Sequence, residues 1–211
     1  LCLDRISGIR ELAFVVLQML VDNTDDLFEK EAITKVLETK NLSVEHFNQL
    51  ISVPEFAPII VEGLLYCSGA FAPDLSKRAR NSLISFMRKK GTDNIQLVCS
   101  IIIDLYRRLW GVVIFQKSLF AFIPVLLGNG VLAGEQLWKF ADDFLEITEQ
   151  KYFKKPTPKK LSRIYRVLAA FSATCDIERM RKAFSLLAPF FVNEMATLRD
   201  ASAKELYGDL K

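Results

Sequence analysis

Apolar residues recur along this chain at steps of three and four, in helix-length stretches that come in pairs. In the first stretch, about Asp4–Asp22, the residues Ile6, Ile9, Leu12, Ala13, Val16, Leu17 and Leu20 share one face, while Arg5, Arg10 and Gln18 fall elsewhere. Residues 24–53 are more polar and predict two short helices, about Asp26–Thr39 and Ser43–Ile51, with Ser43 placed to cap the second. That segment reads as an insertion between repeats or a ridge on the surface. From Pro54 the pairs are regular: Glu55–Cys67 with a helix from Asp74, Asn94–Leu109 with Val112–Leu127, Glu135–Phe153 with Lys159–Ala173, and Ile177–Val192 with Ala196–Leu210. Asp74 and Asp176 stand where side-chain caps are needed, and Gly91 and Gly128-Asn129-Gly130 stand where helices must stop. Pro124 and Pro189 fall inside helices and are expected to bend them. Ile101-Ile102-Ile103 could be strand on propensity alone, but it is embedded in a longer helical period.

The second helices of the pairs begin near Asp74, Val112, Lys159 and Ala196, at intervals of roughly 40 residues, the period of HEAT-type two-helix repeats. The pattern predicts an all-α fold, a HEAT/armadillo-like α-solenoid of stacked antiparallel helix pairs, running as one domain over residues 1–211 with the divergent segment 24–53. In the helix from Asp74, Leu75, Ala79, Leu83, Phe86 and Met87 form the buried stripe. Four of the helices also offer an Arg or Lys near a small residue: Arg10 with Ala13, Arg78 and Arg80 with Ala79, Lys117 with Ala121, Arg199 with Ala201 and Ala203. The small residue lets helices approach, and the Arg can bond to groups in the inter-helix turns and set the stacking angle. Such a stack binds a partner along its surface and needs no chemistry of its own.

Composition supports this. Hydrophobic residues make up 51% of the 211, enough for a large core, and the 16 Phe fill space between helices without asking for a hydrogen bond. A net charge of +3 argues against a dedicated nucleic-acid binder, which carries a strongly basic face. Cys2, Cys67, Cys99 and Cys175 are far apart and in apolar helical contexts, so buried free thiols are expected rather than a disulfide framework or a zinc site. The opening Leu-Cys-Leu-Asp-Arg has no initiator Met and no leader pattern, as expected for a piece of a longer chain. Asp104, Arg107, Arg108 and Lys117 interrupt the greasiest stretch, Ile101–Ala133, so no membrane span is expected. The expected location is the cytoplasm.

The candidate binding surface is a basic tract: Lys151, Lys154, Lys155, Lys159, Lys160, Arg163 and Arg166, uninterrupted by an acidic residue. Pro156 and Pro158 hold its linker extended. Such a tract would attract an acidic surface, though a solvated loop between helices has the same composition. Arg88-Lys89-Lys90 closes a helix, where positive charge is favourable in itself. Asp142, Asp143, Glu146 and Glu149 suggest a metal site only weakly, since no second acidic or histidine cluster joins them. Catalysis has little material: His46 is the only histidine, Cys99 and Cys175 lack an evident activating base, and no phosphate-cradling Gly-rich loop is present. No catalytic residue, cofactor or metal is expected.

Several runs resemble the C-terminal region of the tubulin-folding cofactor D family. They are Ser68-Gly69-Ala70-Phe71 through Asn81-Ser82-Leu83-Ile84-Ser85-Phe86-Met87, Val113–Leu119 with Lys117, and Leu198-Arg199-Asp200-Ala201-Ser202-Ala203 with Tyr207, joined by the opening Ile6, Ile9-Arg10 and Ala13. Their order and spacing, from about residue 54 to 210, carry the resemblance more than any one of them, and residues 24–53 depart from it. The resemblance implies a HEAT/armadillo solenoid that binds β-tubulin and works with cofactors E and C and an Arf-like small GTPase to assemble and disassemble αβ-tubulin dimers. It implies a chaperone that activates GTP hydrolysis only together with those partners, associated with the cytoskeleton. On this reading Lys154, Lys155, Lys159, Lys160, Arg163 and Arg166 meet the acidic partner. The alternative is another HEAT scaffold, karyopherin-like or phosphatase-scaffold-like; a helical enzyme domain would need a polar pocket around His46.

Overall fold

The helical periodicity becomes helix. The computed structural model describes residues 7–24, 26–27, 29–38, 46–69, 72–152 and 158–192, with 199, 200, 203, 204 and 207; the side chains at 7, 9, 10, 46, 152 and 158–163 lie outside this description. Among the described residues there is no strand. The elements are α1 (Ser7–Asn23), α2 (Lys30–Leu37), a 3₁₀ helix (His46–Ser52), α3 (Ala57–Ser68), α4 (Pro73–Lys89), α5 (Thr92–Arg108), α6 (Val113–Gly128), α7 (Gly134–Tyr152), α8 (Pro158–Thr174) and α9 (Ile177–Phe191). Contacts run between helices that are near in sequence, α8 on α9, α3 on α4 and α6 on α8 above all, as in a HEAT-like array. Of the helix expected over 196–210 only Arg199, Asp200, Ala203, Lys204 and Tyr207 are described, and all five are helical. The chain divides into two compact units, Leu1–Asn94 and Ile95–Lys211.

In the first unit, α1 lays Phe14, Leu17 and Val21 against Ile33 and Leu37 of α2, with Leu27 and Phe56 closing the cluster. This differs from the expected stripe: Leu12, Val16 and Leu20, with Val15 and Met19, are exposed. α1 is apolar nearly all round, so its periodicity does not say which side turns inward. The polar segment also differs from its reading. Glu29 takes a left-handed φ of 53°, Lys30 N–H reaches Leu27 O at 3.1 Å, and α2 starts only at Lys30, four residues later than expected. The second short helix is a 3₁₀ turn whose Phe47, Leu50 and Ile51 are buried. It packs on α2, α3 and α4, so this stretch is core and not a surface ridge. Ser43 lies outside the described residues.

α4 begins at Pro73, one residue before the expected cap, behind Ala72 in extended conformation with no side-chain cap. Proline suits that position because its missing N–H would have no partner there, and Asp74 instead places negative charge on the first turn. Ala79, Leu83, Phe86 and Met87 are buried as expected, with Leu75 half-buried. The next turn closes through Gly91 at φ +57°, where any side chain would be strained. Asn94 donates its side-chain amide to the Phe86 carbonyl at 2.7 Å and satisfies one of the last acceptors of α4.

The second unit is built on rings. Tyr106 of α5 stacks on Phe144 of α7 with centroids 4.6 Å apart and meets Phe120 of α6 edge-on at 5.9 Å. Phe144 also contacts Phe171 of α8 at 5.4 Å and Phe140 at 5.9 Å. Tyr165 and Phe190 continue the packing from α8 to α9. The Tyr106 hydroxyl pairs with Thr148 Oγ1 at 3.2 Å, and Thr148 donates to Phe144 O, so the polar tip of a buried tyrosine is not left without a partner. Pro124 sits inside α6 and Pro189 inside α9, each withholding one backbone N–H.

Leu83 and Phe86 are buried almost completely. Leu83→Ala or Phe86→Ala therefore destabilises the chain by about 2–5 kcal/mol in urea unfolding; a loss well below that range would mean the stripe is not packed as described.

Candidate partner-binding site

Two arginines tie neighbouring helices together. Arg80 on α4 reaches back to the last carbonyl of α3, donating Nε at 3.2 Å and Nη2 at 2.9 Å to Ser68 O. Ser76 donates to the same oxygen at 2.5 Å. One carbonyl at a helix end thus takes three donors from the next helix, which fixes the crossing of α3 and α4.

Arg179 on α9 is the second, and the sequence pattern did not single it out. Its Nη1 donates to Asp176 Oδ2 at 2.6 Å, its Nη2 to Asp142 Oδ2 on α7 at 2.6 Å, and its Nε to Trp138 O at 3.2 Å. The guanidinium also lies over the Trp138 ring, 5.6 Å from its centre. Asp176 caps α9 as expected, accepting from the backbone N–H of Glu178 and Arg179. The Arg179 backbone N–H, with its guanidinium, holds the Asp176 carboxyl below its ordinary range. The hydrogen bonds to Asp142 and Asp176 push Arg179 further toward the charged form. A signal existed: an Asp cap followed three residues later by Arg. Its partner Asp142 is too distant in sequence to be read from local spacing.

Such pairings engage three of the four acidic residues Asp142, Asp143, Glu146 and Glu149 of α7. Asp142 serves Arg179, Asp143 faces Arg107 at 3.8 Å, and Glu146 accepts from Gln150. Among the described residues no group of three His, Cys, Asp or Glu is placed to hold a metal, and no helix is long and apolar enough to cross a membrane. Cys67 and Cys99 are buried free thiols and Cys175 is half-buried. Burial pushes the Cys99 thiol up to about 12 and, as the chief cause, Cys175 to about 11. Both stay protonated at neutral pH, the wrong state for a nucleophile. Cys2 and the His46 side chain lie outside the described residues.

The basic tract is placed only in part. Lys151, in the last turn of α7, donates Nζ to Arg107 O at 2.8 Å and stands 6.0 Å from the centre of the Trp110 ring. Lys154 and Lys155 lie outside the described residues; Lys159, Lys160 and Arg163 lie on the first turns of α8, their side chains undescribed. Arg166 is exposed, one turn further along. The tract thus joins the end of α7 to the start of α8.

The family described as tubulin folding cofactor D, C terminal, matches residues 1–160. The matched span runs through 24–53, which sequence reading had set apart, and it ends before the closing run Leu198–Tyr207. Lys154, Lys155, Lys159 and Lys160 lie within it, and Arg163 and Arg166 beyond. No curated protein and no solved structure matches the chain.

Asp176 offers a pH test. Its folded pKa is depressed, so its contribution is complete above the ordinary value of 3.8 and is lost as pH falls through the lower folded value. Asp176→Asn keeps a cap acceptor but not the charge. The variant melts below the parent at pH 7, and the two melting temperatures converge below about pH 3.8; a constant gap across pH would contradict the ion pair. For the thiols, Cys99 reacts with a thiol-specific reagent at pH 8 only as fast as the native chain opens. Rapid labelling of the folded protein would contradict its burial.

Proposed function

Because the chain belongs to the tubulin folding cofactor D C-terminal family, we propose that it is a non-catalytic scaffold that binds β-tubulin in the assembly and disassembly of αβ-tubulin dimers. The match over residues 1–160 carries the reading. It also sets aside the karyopherin-like and phosphatase-scaffold alternatives, which rested on the helical repeat alone. What supports a scaffold is the use to which the polar side chains are put. Arg80, Arg179, Asp142 and Asp176 hold helices together, and the buried thiol of Cys99 is protonated. Cofactors E and C and an Arf-like small GTPase complete the machinery on this reading, with the chain working in the cytoplasm at the cytoskeleton.

The contact with tubulin runs through Lys154, Lys155, Lys159, Lys160, Arg163 and Arg166. An uninterrupted positive tract beside two prolines raises the rate of encounter with an acidic surface and loses strength as salt rises. The test is co-sedimentation or pull-down of the chain with purified tubulin at low salt. The parent chain is retained, and Lys159→Glu with Lys160→Glu cuts retention and flattens its salt dependence. Equal retention of parent and double variant would reject the tract; no retention of the folded parent would reject direct tubulin binding.

A further inference from the structure

Two helix ends that are far apart in sequence meet in the second unit. Lys151 binds the Arg107 carbonyl at 2.8 Å, and Asp143 pairs with Arg107 at 3.8 Å, so the C-terminal ends of α5 and α7 lie side by side. The first turn of α6 belongs to the same corner, because Gln116 donates its Nε2 to Trp110 O. Around this corner Val112, Val113 and Ile114 form an exposed run of three β-branched apolar residues. Lys117 is exposed one turn further along α6, and Arg107 and Arg108 are exposed at the end of α5.

Each part has an ordinary explanation taken singly. Cations suit helix C-termini, and isolated apolar side chains in water are common. The combination is different: an unbroken apolar run stands among Arg107, Arg108, Lys117 and Lys151, on three helices. Asp143 and Asp104 offset part of the charge, and Glu149 lies about 200° around α7 from Lys151, on another side. We propose that this corner docks an acidic peptide segment carrying a bulky apolar side chain. Its carboxylates are drawn by the positive charge of Arg108, Lys117 and Lys151, and its apolar group covers Val113 and Ile114. A nucleic-acid strand is a poorer fit, since strands are held by aromatic platforms along a basic groove and Lys151 stands at the Trp110 ring. The inference rests on the reading of the neighbouring α7–α8 tract as a surface for an acidic partner, and it adds what else that partner must present.

The test uses fluorescence anisotropy with two labelled peptides, a Glu-rich one and the same peptide with one Phe, and a single-stranded oligonucleotide of equal charge. The parent chain binds the Phe peptide about tenfold more tightly than the Glu-only peptide, and both more tightly than the oligonucleotide. Val113→Gln with Ile114→Gln erases the difference between the peptides and leaves the Glu-only affinity unchanged. Arg108→Glu with Lys117→Glu weakens both about tenfold or more and flattens the salt dependence. Far-ultraviolet circular dichroism confirms that the variants, all at exposed positions, remain folded. Equal binding of the two peptides by the parent, tighter binding of the oligonucleotide, or indifference to either double variant overturns the proposal. These outcomes leave the tubulin reading intact where Lys159→Glu with Lys160→Glu still cuts tubulin retention.

Discussion

Phe144 is where the second unit is held together. Its ring stacks on Tyr106, meets Phe120 and Phe171, and touches Phe140, so side chains from α5, α6, α7 and α8 converge on one residue. None of these helices could bury its apolar face alone. A two-helix unit leaves one side open to water, and only the next unit can close it. Rings suit that closure, since each offers much area and adapts to offset or edge-on contact. The first unit mixes aliphatic residues with isolated rings: Leu64, Leu65, Leu83 and Ile51 are buried there with Phe47 and Phe86.

Polar groups then set the geometry that the apolar surface leaves open. Hydrophobic contact is non-directional, and a helix could slide along its neighbour at small cost. Arg80 removes that freedom in the first unit by donating to the last carbonyl of α3, and Arg179 removes it in the second by joining Asp142 of α7 to the start of α9. Lys151 does the same between α7 and α5. These charges are engaged within the fold. We propose that a partner meets the tract from Lys154 to Arg166 and the corner at Val112–Ile114. A role in tubulin folding follows for this chain from its family.

Most of the helices were legible because their signals are local. Asp176 capping α9 and Gly91 closing the turn after α4 need only a few neighbouring residues to be recognised. α1 was legible as a helix but not in orientation, because apolar residues surround it and the choice of face belongs to α2. The start of α4 was misplaced by one residue because both Pro73 and Asp74 suit a helix beginning, and the backbone used the proline. The Arg179–Asp142 and Lys151–Arg107 contacts were illegible for a different reason: each joins residues roughly 40 positions apart, and nothing local marks which carboxylate or carbonyl will be opposite. The basic tract, by contrast, was visible as composition, yet composition does not place its side chains.

Neighbouring helices of the second unit share one core through Phe144. Amide hydrogen exchange on Phe144→Ala tests it most directly. If the ring joins the four helices, protection falls together across α5, α6, α7 and α8. Loss confined to α7, with the other three exchanging as in the parent, would contradict the account.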